Sequence, residues 1–457
     1  MTAYRVTNPA TGETLREYPE ATGEDIRRAV ARTHDAGPGW RATDPKERAA
    51  VLDRVADLYD QQRDELAALI TEEMGKPVSQ AHAEIDTVVS IYRFYARQGP
   101  GFLTEEELDV ASGGRAVVRK EAVGALLGIM PWNFPYYQVA RFAAPNLMLG
   151  NTILLKHAPQ CPGSALAMER VFAEAGLPGG AYTNIFATDQ QVADLIADPR
   201  VRGVSLTGSE RAGAAVAETA GRHLKKVVLE LGGSDPFLVL DTGDLDRVAR
   251  DAFTGRMGNA GQACNAAKRI ITLDEHFEPF VERLTAAVRA VRPGDPTDPD
   301  TFMGPLSSEK AVRTLSEQVE DAVAKGATVL AGGKRMDRPG SWFEPTVLTG
   351  ITPDMRAYQE ELFGPVAMVY KVASEDEAVE FANNSPYGLS ASVHTDDEQQ
   401  ARRVAERLDT GMVFVNGPAG TAAELPFGGV KRSGFGRELG AYGMEEFANH
   451  KLVRVVR

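Results

Sequence analysis

Residues 201–240 have the sequence VRGVSLTGSERAGAAVAETAGRHLKKVVLELGGSDPFLVL, and this stretch decides the fold class. An apolar run over Val201–Leu206 is followed by a helical pattern over Glu210–Ala220 and by apolar runs over Val227–Leu231 and Phe237–Leu240. The apolar runs are rich in valine and leucine and do not alternate cleanly with polar residues, which is typical of strands buried on both faces. The alternation of strand and helix predicts a parallel sheet with right-handed crossover connections.

The same alternation extends in both directions from this stretch. The upstream strand candidates are separated by helical patterns such as Ser164–Ala175, and they are Val123–Ile129, Thr152–Leu155 and Tyr182–Phe186. The downstream strand candidates are Ile270–Leu273, Val329–Leu330, Val366–Val372, Ser390–Val393 and Met412–Val415. Two successive regions of this kind predict an α/β protein.

The N-terminal part of the chain is predicted to be helical after a short polar start. Thr22 and Asp25 have capping-box spacing, and the helix that they begin is expected to stop at Gly37. Asp44 is an N-cap residue that is followed by a proline, which favours the first helical position. At the other end of the chain, Glu446–Val456 has no helix cap and ends in a β-branched run, which predicts a strand that pairs with another chain.

Composition and charge limit the function classes. The chain has 457 residues, of which 43% are hydrophobic and 25% charged, which is typical of a folded globular protein of about three domains. The net charge of −14 argues against duplex DNA and anionic membranes as partners, because both need a positive surface. The polar N-terminus lacks the features of a signal peptide, and the longest apolar run, Ala122–Trp132, is too short to span a bilayer. We therefore expect a cytoplasmic protein.

The chain has two cysteines, which excludes a disulfide framework and leaves each thiol as a candidate nucleophile. Cys264 follows the sequence GNAGQA at 258–263, whose small residues leave the main-chain N–H of the cysteine free to hold an oxyanion. The alternative is a buried thiol that only fills space. Cys161 lies next to Pro162 at the start of a predicted helix and is predicted to be structural.

Two further polar residues lie in unusual surroundings. Glu230 is part of the apolar run Val227–Leu231, where desolvation is expected to raise its pKa and to suit it to general-base catalysis. The alternative for Glu230 is an ion pair with a lysine or arginine. Asn133 lies in the sequence PWNFP at 131–135, directly after a predicted strand, where a rigid amide donor suits an oxyanion. The alternative for Asn133 is a turn residue that bonds its own backbone.

Thr207-Gly208-Ser209 follows a predicted strand and begins a helix, so its N–H groups and the helix dipole favour a phosphate group. The alternative is a serine that only caps the helix. No G-x-G-x-x-G fingerprint follows any predicted strand. The seven histidines have no metal-ligand spacing, so no metal site is expected.

Taken together, these segments resemble the aldehyde dehydrogenase superfamily, and within it the shorter bacterial succinate-semialdehyde dehydrogenases. The segments that carry the resemblance are Pro131–Pro135, Leu155-Lys156, Leu206–Ser209, Leu229–Gly233, Gly261–Cys264, Glu361–Pro365 and Pro426–Lys431. Each of these motifs is weak alone, but their order and spacing match along almost the whole chain.

The resemblance implies an α/β fold with two Rossmann-type domains and a β oligomerisation arm. The implied boundaries are 1–110 and 121–232 for the nucleotide-binding domain, 233–430 for the catalytic domain, and 111–120 and 431–457 for the arm and C-terminal segment. It also implies a homodimer or homotetramer, in which exposed edge strands pair with a partner subunit.

The resemblance also implies residue roles. Cys264 is expected to attack an aldehyde and form a thiohemiacetal, which becomes a thioester when hydride passes to the nicotinamide cofactor. Asn133 and the N–H of Cys264 would hold the oxyanion, and Glu230 would activate the water that hydrolyses the thioester. The implied cofactor-binding residues are Lys156 for the adenosine ribose, Ser209 for the pyrophosphate and Glu361 and Phe363 for the nicotinamide half, with Trp132, Pro159, Thr207, Gly208 and Leu231 beside them.

Arg141 narrows the implied substrate class. It lies six residues after Pro135, where succinate-semialdehyde dehydrogenases carry an arginine that faces the substrate channel. A guanidinium binds a carboxylate through two parallel hydrogen bonds, so the implied substrate is an aldehyde with a terminal carboxylate, such as succinate semialdehyde. The alternative for Arg141 is an ion pair on a helix surface. Some family members have a second carboxylate-binding arginine where this chain has Gly258, and Arg256 is near that position without matching it.

Other functions stay open at this point. Glutarate semialdehyde or an aliphatic aldehyde would serve the same chemistry, and a cofactor-free cysteine hydrolase would need only the thiol and a base. For the cofactor, Pro159 occupies the position where many NAD-preferring relatives have a glutamate that binds the adenosine 2′-hydroxyl. Without that carboxylate a 2′-phosphate is not repelled, and Lys156 attracts it. The resemblance therefore implies that NADP is preferred and that NAD is also accepted.

Overall fold

The computed structural model describes residues 4–456. The α-helices in this range are α1 (Gly23–Ala42), α2 (Pro45–Gln61), α3 (Arg63–Met74), α4 (Val78–Phe102), α5 (Tyr137–Leu149), α6 (Pro162–Glu174), α7 (Asp189–Ala197), α8 (Glu210–Arg222), α9 (Leu245–Met257), α10 (Asp274–Ala290), α11 (Glu309–Ala324), α12 (Arg356–Gln359), α13 (Glu375–Asn383) and α14 (Glu398–Arg407). The strands are β1 (Arg5–Thr7), β2 (Thr14–Glu17), β3 (Glu106–Leu108), β4 (Arg115–Ala122), β5 (Ala125–Met130), β6 (Thr152–His157), β7 (Tyr182–Asn184), β8 (Val201–Thr207), β9 (Lys226–Glu230), β10 (Asp235–Val239), β11 (Ala267–Leu273), β12 (Thr328–Ala331), β13 (Thr346–Thr349), β14 (Val366–Val372), β15 (Tyr387–Gly388), β16 (Ser390–His394), β17 (Met412–Val415), β18 (Val430–Lys431), β19 (Gly434–Phe435) and β20 (Ala448–Val455).

The first large sheet has six strands in the order β19-β9-β8-β5-β6-β7. Its strands are parallel except β19, which pairs antiparallel with β9. The chain passes from β5 to β6 on one side and reaches β8 on the other, which makes the carboxyl end of β5 a topological switch point. Trp132 and Asn133 follow β5 at this point, and Thr207 and Gly208 lie at the end of the neighbouring strand β8. The predicted parallel sheet is confirmed, and its crevice holds two of the predicted motifs.

The second large sheet has seven strands in the order β12-β13-β14-β11-β10-β16-β17. All neighbours are parallel except the pair β12 and β13. The predicted strand Phe237–Leu240 is confirmed as β10, and it belongs to this sheet rather than to the first one. The sequence did not predict β13, because Thr346–Thr349 is a run of four residues with threonine at both ends and shows no clear periodicity.

The C-terminal strand β20 pairs antiparallel with β4 from Ala448 opposite Ala122 to Val455 opposite Arg115. β3 pairs with the other edge of β4, so the three strands form a separate small sheet. β20 is therefore an edge strand, and Leu452 and Val455 are 58% and 52% exposed on it. The sequence had assigned β3 to the nucleotide-binding segment and β19 to the C-terminal segment, whereas β3 pairs within the small sheet and β19 within the first large sheet.

The predicted end of the first helix is wrong, because α1 continues past Gly37 to Ala42. The predicted capping box of Thr22 and Asp25 is confirmed at its start. Trp40 explains the extension: its side chain is 2% exposed, and its indole N–H donates to the carbonyl of Leu147 in α5 at 3.0 Å. Burial of this large side chain outweighs the weak helix propensity of the glycines and proline around it.

Among residues 4–456, no helix combines the length and the apolar character that a membrane-crossing segment requires.

Candidate active site

Cys264 lies in the loop that connects the 3-10 turn Gly258–Gly261 to β11. Asn259 and Ala260 have positive φ angles of 52° and 50°, a conformation that L-residues rarely adopt. Gly261 has a φ of 73°, and a Cβ atom on it would overlap the carbonyl of Gly364. The small residues that the sequence places before Cys264 therefore serve a tight, strained turn, which is a frequent feature of functional sites.

Two cavities lie on either side of the Cys264 thiol, and Cys264 lines both of them. The first has a volume of about 320 Å³ and is lined by one face of α4, by Tyr137 and Arg141 of α5, and by Thr421 and Phe427. The second has a volume of about 270 Å³ and lies at the switch point of the first sheet. We refer to them as the Arg141 cavity and the switch-point cavity.

Most of the predicted cofactor-binding residues lie together in the switch-point cavity. Besides Asn133 and Cys264, its lining includes Trp132, Thr207, Gly208, Ser209, Leu231, Glu361 and Phe363. The ring of Trp132 meets that of Phe363 edge to face at a centroid distance of 5.6 Å. Ser209 caps α8, because its hydroxyl accepts a hydrogen bond from the N–H of Ala212.

Lys156 and Pro159 do not line the switch-point cavity. Lys156 is 8% exposed near the carboxyl end of β6, and burial lowers the pKa of its ammonium group. Within residues 4–456 it has no ion-pair partner, and its Nζ lies 6.0 Å from the ring centroid of Tyr4. The negative charge of Asp189 acts on Lys156 without a direct ion pair, and the partly exposed Pro159 follows Lys156 by three residues.

The Cys264 thiol is poorly solvated. Burial raises its pKa to about 12, although the positive charges of Arg141 and Lys268 act in the opposite direction. The ammonium of Lys268 is fully buried, donates to the carbonyl of Cys264 at 2.7 Å and pairs with Glu361 at 3.1 Å. Lys268 was not among the residues selected from the sequence. The signal was present, since a charged residue inside an apolar strand is unusual, and the same feature led to the selection of Glu230.

Asn133 is 4% exposed and is connected to the loop of Cys264. Its side-chain Nδ2 donates to the carbonyl of Gln262 at 3.0 Å. Its main-chain carbonyl accepts hydrogen bonds from Asn259 Nδ2 at 3.0 Å and from Lys76 Nζ at 2.9 Å. The amide has a second N–H, and Asn133 and Cys264 line the same cavity. Asn133 is thus more than a turn residue that bonds its own backbone.

Glu230 is buried at the end of β9 but lines neither cavity. Its carboxylate lies against Gly428, where an added Cβ would be 2.8 Å from Oε1, and it has no hydrogen-bond partner within residues 4–456. Burial raises the pKa of Glu230 well above its usual range, while Arg141 has the opposite effect. The expected desolvation is present, but the carboxylate contacts Gly428 and does not line either cavity that contains Cys264.

Arg141 lines the cavity of Cys264, but its guanidinium is not free. It is fully buried and forms an ion pair with Glu438. The alternative interpretation of Arg141, an ion pair on a helix surface, is therefore wrong. Nη1 donates to the Tyr137 hydroxyl at 3.4 Å and Nη2 to the Thr207 hydroxyl at 3.2 Å. Burial acts to lower the pKa of Arg141, but Glu438 outweighs it and raises the pKa further above its ordinary value. No sequence signal connected Arg141 with Glu438.

Arg256 has a structural position and does not line either cavity. It is fully buried, and its guanidinium donates to the main-chain carbonyls of Val366, Gly261, Leu362 and Gly364. These bonds hold the loop before Cys264 against the segment that carries Phe363. Arg256 therefore does not replace the second carboxylate-binding arginine that is absent at Gly258.

Comparisons with known proteins bear on this site. The model of the aldehyde dehydrogenase family matches residues 1–453. A succinate-semialdehyde dehydrogenase [NADP(+)] from Deinococcus radiodurans is 56% identical over 451 residues, which are 99% of this chain and 94% of that protein. Succinate-semialdehyde dehydrogenase [NADP(+)] 1 from Mycobacterium tuberculosis is 46% identical over 448 residues, which are 98% of each chain. The crystal structure of a succinic semialdehyde dehydrogenase from Streptococcus pyogenes in complex with NADP+ has a TM-score of 0.97 at 42% identity, and the match covers 99% of this chain and 100% of that one.

The raised pKa of Cys264 predicts how fast the free protein reacts with iodoacetamide. The rate of Cys264 alkylation should rise about tenfold per pH unit between pH 7 and pH 9, because the reactive thiolate fraction grows in this way below the pKa. Mass spectrometry of the Cys264 peptide measures this rate. In the control variant Cys161→Ser the rate should be unchanged, since Cys161 is fully buried and lines neither cavity. A rate that levels off near pH 7 would contradict the prediction.

Proposed function

The chain belongs to the aldehyde dehydrogenase family, and on this basis we propose that it oxidises succinate semialdehyde to succinate with NADP as the preferred hydride acceptor. The observation that carries the proposal is the buried guanidinium of Arg141 in the wall of the cavity that contains the Cys264 thiol. The names of the relatives in Deinococcus and Mycobacterium support the same substrate and cofactor. Cytoplasmic location stays a prediction of the sequence.

In the proposed reaction, Cys264 first releases its thiol proton to solvent, its thiolate Sγ then forms a bond to the aldehyde carbon, and the carbonyl π electrons move to the oxygen. The second N–H of Asn133 Nδ2 and the main-chain N–H of Cys264 donate to this oxyanion, which is the interaction that lowers the barrier. A nicotinamide held beside Glu361 and Phe363 would supply the hydride acceptor, and loss of hydride from the carbon leaves Cys264 as a thioester. A water oxygen then adds to the thioester carbon, its proton goes to Glu230, and Cys264 leaves as a thiolate. One aldehyde and one water thus give one carboxylate, with two electrons on the cofactor.

Glu230 must turn toward the thiol for the second step. Its carboxylate now contacts Gly428, and the main chain of Glu230 is fixed by pairing with Gly434. Rotation about the side-chain bonds is therefore the available movement. Its raised pKa makes the carboxylate a stronger base than an exposed glutamate, which suits proton removal from water.

The residues of the switch-point cavity fit a dinucleotide. The main-chain N–H groups at the start of α8, which Ser209 caps, lie where the helix dipole favours a pyrophosphate, whereas the N–H of Gly208 donates to the carbonyl of Glu230 at 2.9 Å. Gly232 keeps the wall open, since an added Cβ would lie 2.6 Å from the carboxylate of Glu361. Glu361 and Phe363 line this cavity together with Cys264 and would hold the nicotinamide half of the cofactor.

The donors of Arg141 suit a carboxylate at the far end of the substrate. A guanidinium has five N–H groups; Nε faces Glu438, and Tyr137 and Thr207 each take one terminal N–H. Each terminal nitrogen thus keeps one N–H, and two parallel hydrogen bonds to a carboxylate need two such groups. Because Glu438 already balances the positive charge, the directions of these N–H groups contribute more to recognition than the net charge does.

The substrate proposal predicts a difference between charged and neutral aldehydes. Arg141→Gln should lower kcat/KM for succinate semialdehyde about 100-fold, because hydrogen bonds to charged groups are worth ~1.5–3 kcal/mol each. The kcat/KM for butanal, which has the same chain length without the carboxylate, should fall much less. The variant Arg141→Gln/Glu438→Gln controls for the buried carboxylate that the single change leaves unpaired. Equal losses for both aldehydes in both variants would rule out carboxylate recognition by Arg141.

The cofactor proposal predicts the effect of a single negative charge near Lys156. Pro159→Glu should lower kcat/KM with NADP at least about tenfold and leave NAD less affected, because the new carboxylate repels a 2′-phosphate and pairs with Lys156. The matched variant Pro159→Gln has the same size without the charge and should keep the NADP preference. A wild-type protein that strongly prefers NAD would contradict the proposal.

We also propose that the chain forms a homodimer or homotetramer through the exposed edge of β20. Exposed edge strands pair with other strands, and Leu452 and Val455 are unusually exposed for large apolar residues. Light scattering on Leu452→Asp/Val455→Asp should therefore report a smaller assembly than on the wild type. The control Leu224→Asp changes a leucine that is 96% exposed in the turn after α8, and it should not alter the mass. A monomeric wild type would contradict this proposal.

A further inference from the structure

A buried ion pair lies next to the Asn133 segment and has no part in the chemistry described so far. Lys76 precedes α4 and is 1% exposed, and Glu84 of α4 is 4% exposed. Their side chains form a direct ion pair. Removing two charges from water is costly, and a buried pair of this kind often adds little net stability. The contacts of this pair indicate a role other than stability.

The two charged groups hold the segment 133–137 at both ends. At one end, Lys76 Nζ donates to the main-chain carbonyl of Asn133 at 2.9 Å. At the other end, Glu84 Oε1 accepts the main-chain N–H groups of Tyr136 and Tyr137 at 2.9 and 3.1 Å. These N–H groups lie at the start of α5, where a helix leaves its donors unpaired and favours a negative charge. The ion pair thus connects the residue that faces Cys264 to the helix that carries Arg141.

Lys76 has no hydrogen bond to spare for a substrate, although it lines the Arg141 cavity. An ammonium group has three N–H donors. One faces Glu84 and one the carbonyl of Asn133, and Nζ lies 3.7 Å from the ring centroid of Phe134, whose face accepts the positive charge. A direct contact with the substrate carboxylate would require one of these interactions to break.

Gln80 extends the same face of α4 to the loop of Cys264. It lies one helical turn from Glu84, and its side-chain Oε1 accepts the main-chain N–H of Asn259 at 2.8 Å. Asn259 in turn donates to the carbonyl of Asn133, as Lys76 does. Gln80 and Glu84 are spaced by four residues on α4 and share one face of the helix, and Lys76, which precedes the helix, reaches this face through its ion pair with Glu84. This face contacts both the oxyanion donor and the turn that precedes the nucleophile.

From these contacts we propose that Lys76, held by Glu84, is a positioning residue that fixes the main chain of Asn133 so that its side-chain amide meets the oxyanion on Cys264. The proposal rests on the role of Asn133 in the proposed function. An oxyanion donor acts only when it is held where the negative charge develops, and a small displacement forfeits much of its effect. The Lys76 bond fixes the Asn133 carbonyl, and the Gln262 carbonyl fixes one N–H of its amide.

A double-mutant cycle with Asn133→Ala tests the proposal. Lys76→Met should lower kcat with succinate semialdehyde about tenfold or more, and it should change KM for NADP less than about twofold, because it acts on the transition state. In the Asn133→Ala background, which keeps the main-chain carbonyl but has no amide to position, the same change should lower kcat by less than about twofold. Lys371→Met removes an exposed lysine far along the chain and should leave kcat unchanged.

Folding is controlled with a second variant. Lys76→Met leaves the carboxylate of Glu84 buried and unpaired, whereas Lys76→Met/Glu84→Gln has no charge at this place. The double variant should unfold at a denaturant concentration close to that of the wild type and should still have the reduced kcat, since neither substitution restores the hydrogen bond that Lys76 donates and the Asn133 carbonyl keeps only the one from Asn259. A merely structural ion pair would give the opposite result, a kcat that returns together with stability.

The outcomes separate this proposal from the one on which it rests. If Lys76→Met/Glu84→Gln folds and keeps the wild-type kcat, or if the loss is the same with and without the Asn133 amide, the positioning role is overturned. If Asn133→Ala itself keeps the wild-type kcat, the oxyanion role of Asn133 in the proposed function is wrong. A loss of kcat on Lys76→Met that disappears only in the Asn133→Ala background supports both the positioning role of Lys76 and the oxyanion role of Asn133.

Discussion

Reciprocal hydrogen bonds between Asn133 and the loop of Cys264 join the two large sheets. Asn133 follows β5 of the first sheet and donates to the carbonyl of Gln262, and Asn259 donates back to the carbonyl of Asn133, both at 3.0 Å. The loop that they hold precedes β11 of the second sheet and contains two non-glycine residues with positive φ. Such a strained turn persists only where surrounding contacts determine it, so the position of the thiol depends on the contact between the sheets.

The fold could be predicted where burial leaves a simple trace in the sequence. The central strands of both sheets are nearly continuous apolar runs because they are covered on both faces, and Val201–Leu206 and Val366–Val372 were therefore recognisable. Prediction failed where a distant contact decides the local conformation. α1 passes Gly37 because Trp40 packs on α5, and β3, which lies in the range 1–110 assigned to the nucleotide-binding domain, pairs with β4 of the small sheet. Neither contact has a signal in the neighbouring residues.

The site shows the same division between local and distant information. Cys264 and Asn133 could be selected from the residues beside them, because a tight turn and a rigid proline-flanked segment are local features. The ion pair of Arg141 with Glu438 and the contact of Glu230 with Gly428 join parts of the chain that are far apart in sequence. The direction of a buried side chain depends on such contacts, which explains why the sequence indicated the desolvation of Glu230 but not where its carboxylate points.

The charges around Cys264 are paired, which changes how an anionic substrate would be selected. The protein has a net charge of −14, and the positive groups beside the cavity, Arg141 and Lys76, are each balanced by a buried glutamate. In this part of the described structure, these paired charges therefore give no net positive charge that would attract an anionic substrate. In the proposed function, selection would depend on the two remaining N–H groups of Arg141, which a substrate carboxylate would satisfy and a neutral aldehyde would leave unpaired. An unsatisfied buried donor costs about 1–3 kcal/mol, so the penalty for the wrong aldehyde contributes as much to specificity as the attraction of the right one.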